Sequence, residues 1–116
     1  MDYLNCNVFV SVTTLPCRID SLLQLSLNSI FNQTLLPDKI FICIPEYSKR
    51  EKKRYVIPDF LSKLPLCKII QTKQDFGPAT KLLPVLLYEK NPDSIIITID
   101  DDIIYDKYII EKLLKQ

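Results

Sequence analysis

The chain has 116 residues, 47% of them apolar and 25% charged, with a net charge of +1, four Cys, eight Pro, one Gly and no His. That length suits one domain that buries a core without cross-links, and plentiful aliphatic side chains at near-zero net charge exclude a disordered chain. The absence of histidine excludes a Ser-His-Asp triad, a Cys-His nucleophile and any histidine-ligated zinc, and a balanced charge lacks the global basic excess that nonspecific nucleic-acid binding relies on.

Cys6, Cys17, Cys43 and Cys67 form no C-x-x-C pair, so they suggest neither a metal clip nor a redox motif. Cys43 and Cys67 read as small buried apolar side chains of a reducing compartment rather than as a disulfide framework. Met1 to Asn7 lacks the basic segment and apolar stretch of a secretory leader, and no apolar run approaches the roughly 18 residues that span a bilayer. A soluble, cytoplasmic protein is expected.

In chain order, Asn7 to Thr14 (NVFVSVTT) is β-branched and apolar and stops before Pro16, which predicts a buried strand. From Ile19 the spacing becomes helical, with Ile19, Leu23, Leu27, Ile30 and Phe31 on one side, and this helix should end near Gln33 or Thr34. Lys39 to Ile44 (KIFICI) predicts a second strand, buried on both faces and closed by Pro45. Ser48 to Tyr55 (SKREKKRY) holds six consecutive charges and reads as a solvated loop or helical turn, with room for a further helix before the next strand. Leu66 to Thr72 predicts the third strand. Ala79 to Tyr88 predicts a helix that Pro84 either kinks or splits. Ser94 to Ile99 (SIIITI) predicts the fourth strand, and a last helix is expected from Asp106 as N-cap, with Ile109, Ile110, Leu113 and Leu114 as its apolar stripe.

The sum is a β-α-β-(α)-β-α-β-α chain whose strands are apolar runs. That pattern predicts a doubly wound α/β fold, a mostly parallel sheet with helices on both faces. Ligands of such sheets bind beyond the carboxyl ends of the strands. There the sequence supplies Thr13 and Thr14, then Glu46, then Lys73 and Asp75, then Asp100, Asp101 and Asp102. Three adjacent carboxylates repel one another unless a cation or donors compensate, and their hard oxygens suit Mg²⁺ or Mn²⁺ together with water and phosphate. Strand alternation turns Asp100 and Asp102 to one side and Asp101 to the other, a D-x-D pair. The bland alternative is a solvated acidic loop or N-cap cluster. Gly77 marks a turn into a helix that Pro78 can open, and Lys81 in its first turn opposes the helix dipole unless an anion such as phosphate is near; the alternative is a solvated lysine.

Four segments, VSVTTLPCRI, LPDKIFICIP, DFGPATKLLPVL and IIITIDDDIIY, together resemble nucleotide-sugar glycosyltransferases of the GT-A fold, the family 2-like group in particular. The resemblance runs over residues 7 to 114 and is most specific in DFGPATKL and TIDDD. It implies that Thr13 and Thr14 contact the nucleoside, Glu46 the base or ribose, and Lys81 the nucleotide. It further implies that Asp100 to Asp102 bind ribose and a divalent metal, with Asp100 and Asp102 as the metal ligands and Asp100 and Asp101 beside the nucleotide sugar. Asp75 joins these as a carboxylate of the same rim. Glu46 departs from the aspartate usual in the family. The implied donor is a UDP- or GDP-sugar, the cofactor Mn²⁺ or Mg²⁺, and the acceptor a glycan, protein or lipid. Such catalytic domains continue for roughly a hundred residues more, so the resemblance implies the nucleotide-sugar-binding half without the acceptor-binding half. No residue is nominated as the general base, and without histidine the metal site rests on aspartates, phosphates and water. A truncated, inactive remnant, dependence on a partner chain or homo-oligomer, a non-catalytic nucleotide- or metal-binding module, and a phosphoryl- or nucleotidyltransferase remain alternatives. The last lacks a glycine-rich phosphate loop.

Overall fold

The apolar runs form strands because they are covered on both sides. A computed structural model describes residues 6 to 115, so the part of the leader reading that rests on residues 1 to 5 lies outside the described residues. The strands are β1 (Val8–Thr13), β2 (Lys39–Pro45), β3 (Tyr47–Ser48), β4 (Lys53–Arg54), β5 (Cys67–Thr72) and β6 (Ile95–Thr98). Four of them make one parallel sheet in the order β5-β2-β1-β6, while β3 and β4 pair as a separate antiparallel hairpin. The expected α/β architecture with a parallel sheet and helices on both faces is therefore present.

Alternation along the strands divides the interior in two. Val10 and Val12 of β1 and Ile40, Ile42 and Ile44 of β2 face helix α1 (Leu22–Phe31), which buries Leu23, Leu27 and Ile30 against them. Helices α2 (Asp59–Lys63) and α4 (Ile109–Leu114) add Leu61 and Ile110 to the same cluster. Phe9, Phe41 and Cys43 turn to the opposite face, where Val85 of α3 (Leu83–Tyr88) covers them. Register places Val10 opposite Ile40 and Ile97, so the central strand is paired along both edges. At its start Val8 and Asp38 exchange two bonds: the Val8 N–H donates to the Asp38 carboxylate at 2.7 Å, and the Asp38 N–H to the Val8 carbonyl at 2.8 Å.

The local departures from expectation have physical causes. Helix α1 starts at Leu22 rather than Ile19, because the amides of Arg18 and Ile19 both bond the Leu15 carbonyl and the chain turns before it winds into a helix; Ile19 is nonetheless buried. Pro84 splits the next helical segment instead of kinking it. A 3₁₀ turn spans Gly77–Lys81 and α3 begins afresh at Leu83, so the missing proline N–H falls in a first turn where it has no intrahelical partner to lose. Asp106 is not the N-cap of α4, which is Tyr108; its carboxylate instead accepts the Tyr108 N–H at 2.7 Å, two residues on. Within the charged run Ser48 to Tyr55, residues 49 to 52 form the expected turn, and the pairing of β3 with β4 on either side of it makes a hairpin that was not expected, with Lys52 in left-handed backbone at φ 57°. No helix among the described residues is long and apolar enough to cross a membrane.

Candidate functional site

The sheet order means that the chain leaves β1 in one direction and returns to pair β6 on its other edge. Strand order reverses between β1 and β6, and a crevice opens there beyond their carboxyl ends. A cleft of about 190 Å³ occupies this place. Thr13, Thr14, Leu15 and Arg18 line it after β1, Ile99, Asp100 and Asp101 after β6, Arg50 and Tyr55 from the hairpin and its exit, and Asp75, Gly77, Pro78 and Lys81 from the segment after β5.

The three consecutive aspartates have three different fates. Asp101 is 5% exposed and fully engaged, with the Thr14 hydroxyl donating to Oδ2 at 2.6 Å and Arg18 Nη1 donating to Oδ1 at 3.1 Å. A buried carboxylate is costly without such partners, and short charge-assisted bonds compensate it. Burial works against the charge on Arg18, but Asp101 and then Asp102 outweigh it and hold the guanidinium more firmly protonated than a free arginine. Asp100 stays exposed and meets Lys81 Nζ at 3.0 Å, while Asp102, also exposed, lies 3.8 Å from Arg18 and outside the cleft lining. The expected alternation thus holds in that Asp101 turns inward and its neighbours outward. Asp100 and Asp102, however, lean on different cations.

Backbone bonds fix this rim. The Asp100 N–H donates to the Tyr105 hydroxyl at 2.8 Å, and the Ser26 hydroxyl of α1 donates to the Asp100 carbonyl at 2.9 Å. Burial pushes the Tyr105 phenol up, and the hydrogen bond from the Asp100 N–H opposes that only in part. Thr13 and Thr14 both reach the cleft, yet both hydroxyl protons are engaged inside the protein, Thr13 on the Cys43 carbonyl at 2.8 Å and Thr14 on Asp101. Tyr55 donates its hydroxyl to the Thr14 carbonyl at 2.6 Å, and burial followed by the Asp75 charge pushes its pKa up to about 12. Asp75 accepts the Lys49 N–H at 2.9 Å and the Gly77 N–H at 2.8 Å. Gly77 has φ +61°, and an added Cβ would meet nothing within 4 Å, so glycine answers a backbone need there and not a crowded one.

Lys81 ends the 3₁₀ turn instead of opening a helix, so no helix dipole opposes it; its anionic partner is Asp100. The Ser11 hydroxyl, buried in mid-β1, donates to the Lys81 carbonyl. Of the expected site residues, Thr13, Thr14, Asp75, Lys81, Asp100 and Asp101 converge on the cleft. Glu46 stands exposed just beyond β2 and Asp102 at the outer rim, and neither lines it. Arg18, Arg50 and Tyr55 were not expected. Their signal was positional: an arginine five residues beyond Thr13, and a charged run that starts just past the end of a strand.

Two exposed carboxylates with hard oxygens suit a Mg²⁺ or Mn²⁺ ion that completes its shell with water and substrate phosphates. Among the described residues no group of three or more His, Cys, Asp and Glu side chains is arranged to hold a metal by itself. The chain matches no protein-family model, and no curated protein matches it.

Proposed function

We propose that the cleft binds the diphosphate of a UDP- or GDP-sugar together with Mn²⁺ or Mg²⁺ at Asp100 and Asp102, and that the chain is a donor-binding unit for sugar transfer to a glycan, protein or lipid acceptor. The observation that carries the reading is the convergence of Asp100, Asp101, Lys81, Thr14 and Asp75 at the point where strand order reverses. A divalent cation there offsets diphosphate charge and stabilises a departing nucleotide. The protein's own contribution is positional. Asp101, locked by Thr14 and Arg18, fixes the turn that presents its two neighbours, and Lys81 stands against Asp100, so a phosphate approaching that carboxylate meets the ammonium as well. Tyr55 fixes the backbone at Thr14 from the opposite wall. A cytoplasmic setting accompanies this reading, supported by the free thiols of Cys17, Cys43 and Cys67.

Calorimetric titration with UDP- and GDP-sugars, with and without Mn²⁺, on the native chain and on Asp100→Ala and Asp102→Ala, tests the proposal. Metal-dependent binding that weakens by about tenfold or more in both variants is expected; absence of any nucleotide binding by the native chain overturns it. A second reading, binding without transfer, is favoured by one observation. Each carboxylate lining the cleft is already engaged, Asp75 by backbone N–H groups, Asp100 by Lys81 and Asp101 by Thr14 and Arg18, which leaves none of the three unencumbered as a general base. Sugar transfer to acceptors separates the two readings.

A further inference from the structure

The cleft is lined by three cations, Arg18, Arg50 and Lys81, and three anions, Asp75, Asp100 and Asp101, so its lining carries no formal net charge. The pairing within it is uneven. Arg18 is spent on Asp101 and Lys81 on Asp100, while both oxygens of Asp75 accept backbone N–H groups, from Lys49 and Gly77. Among the described residues no carboxylate stands within ion-pair distance of Arg50, which leaves its guanidinium as the lining cation without an anion.

Arg50 is nevertheless held in place. It lies in the turn of the β3–β4 hairpin, and that turn is tied to three separate parts of the rim. The Lys49 N–H bonds Asp75; the Glu51 carboxylate accepts the Cys17 N–H at 3.1 Å; and Tyr55, one residue past β4, donates its N–H to the Glu46 carbonyl and its hydroxyl to the Thr14 carbonyl. Ser48, fully buried at the base of the turn, accepts the Glu51 N–H at its hydroxyl and the Lys52 N–H at its carbonyl. A long, flexible side chain gains most from binding when its backbone is fixed beforehand, and a guanidinium matches phosphate with two parallel N–H donors in one plane.

We propose that Arg50 recognises phosphate in this cleft and makes it selective for a diphosphate-bearing ligand over the corresponding nucleoside. This rests on the donor-binding reading for the identity of the nucleotide, but the phosphate contact is separable from it. Arg18 and Lys81 give the ligand only what their aspartates release, whereas Arg50 gives up no ion pair to engage an anion. The hairpin is thus the element that senses ligand charge, and Lys52, exposed in the same turn but outside the cleft lining, does not share that role.

The experiment is a titration series with uridine, UMP, UDP, guanosine, GMP, GDP and inorganic pyrophosphate, on the native chain, Arg50→Gln and Lys52→Gln, with melting temperature as a check on folding. The expected result is a loss of roughly tenfold or more for UDP, GDP and pyrophosphate in Arg50→Gln, little change for the nucleosides, and native-like affinities in Lys52→Gln. Three results overturn the proposal: unchanged diphosphate affinity in Arg50→Gln, an equal loss for nucleoside and diphosphate, which would make Arg50 a base-stacking residue, or an equal loss in Lys52→Gln, which would reduce the effect to general charge. Failure of the donor-binding reading looks different, with pyrophosphate binding dependent on Arg50 but none of the nucleotides bound more tightly than pyrophosphate. If the native chain binds neither nucleotides nor pyrophosphate, both fail.

Discussion

The two faces of the sheet are built from the same strands and end with unequal interiors. One face meets α1, α2 and α4, and Leu23, Leu27, Ile30, Leu61 and Ile110 close over Val10, Val12, Ile40, Ile42 and Ile44. On the other, Phe9, Phe41 and Cys43 lie beneath Val85, and the helix that carries Val85 leaves Leu83, Leu86, Leu87 and Tyr88 exposed. Phe41 helps to join this thinner side by meeting both Phe9 and Tyr88 edge-on, with ring centroids 5.4 Å apart in each case, and Lys68 caps the Tyr88 ring at 4.4 Å. The alternation of apolar residues decides which side each one faces, but the helices that arrive on that side decide how much the burial is worth. Stability should therefore concentrate on the α1 side, while the cleft draws residues from both.

Three substitutions sharpen that contrast. The largest effect is expected from Leu27→Ala under α1, which opens a cavity in the fully covered core and should cost about 3 kcal/mol in urea unfolding; a loss below about 1 kcal/mol would mean that the α1 face does not dominate. Next comes pH. On the thin face burial pushes the Cys43 thiol up to about 11, against an unfolded value of 9.0, with the Ser11 hydroxyl opposing the shift only in part. A thiol kept neutral in the folded chain contributes its full stability below pH 9, and that contribution is lost as pH rises toward 11, because the unfolded chain ionises first. Unfolding free energies at pH 8 and pH 11 should show a decline that is shallower in Cys43→Ala by about 2 kcal/mol; parallel declines would contradict it. The smallest effect belongs to Leu87→Ser on α3, 76% exposed, which should shift unfolding by less than about 0.5 kcal/mol. A clear loss there would show that the exposed leucines are covered in solution.

Much of this arrangement is legible in the residues. β-branched runs cut by proline mark the four sheet strands to within a residue or two, and their two-sided burial follows from runs such as KIFICI that leave no polar face. The rim at Thr14, Asp75, Lys81 and Asp100 is equally legible, since a parallel sheet gathers the residues that follow its strands. What escaped depends on partners remote in sequence. Alternation turns Asp101 away from its neighbours, but nothing local says that Thr14 and Arg18, 87 and 83 residues away, will meet it there. Periodicity put Ile19 in the helix because Ile19 is indeed buried, yet amide bonds to Leu15 hold it in a turn. Six charges in a row look alike until Ser48 and Tyr55 fold them into a hairpin and aim one, Arg50, at the cleft. Glu46, just past the end of β2, stays exposed and outside the cleft lining.

The bond from Ser11 to the Lys81 carbonyl has a consequence for how the thin face and the cleft are joined. Ser11 lies fully buried in the middle of the central strand, paired on both edges, and it holds the chain one residue before the exposed leucines begin. The short helix α3 thereby follows a segment anchored to the sheet. One residue thus serves both regions: the Lys81 carbonyl is tied to β1 while its ammonium meets Asp100 at the cleft.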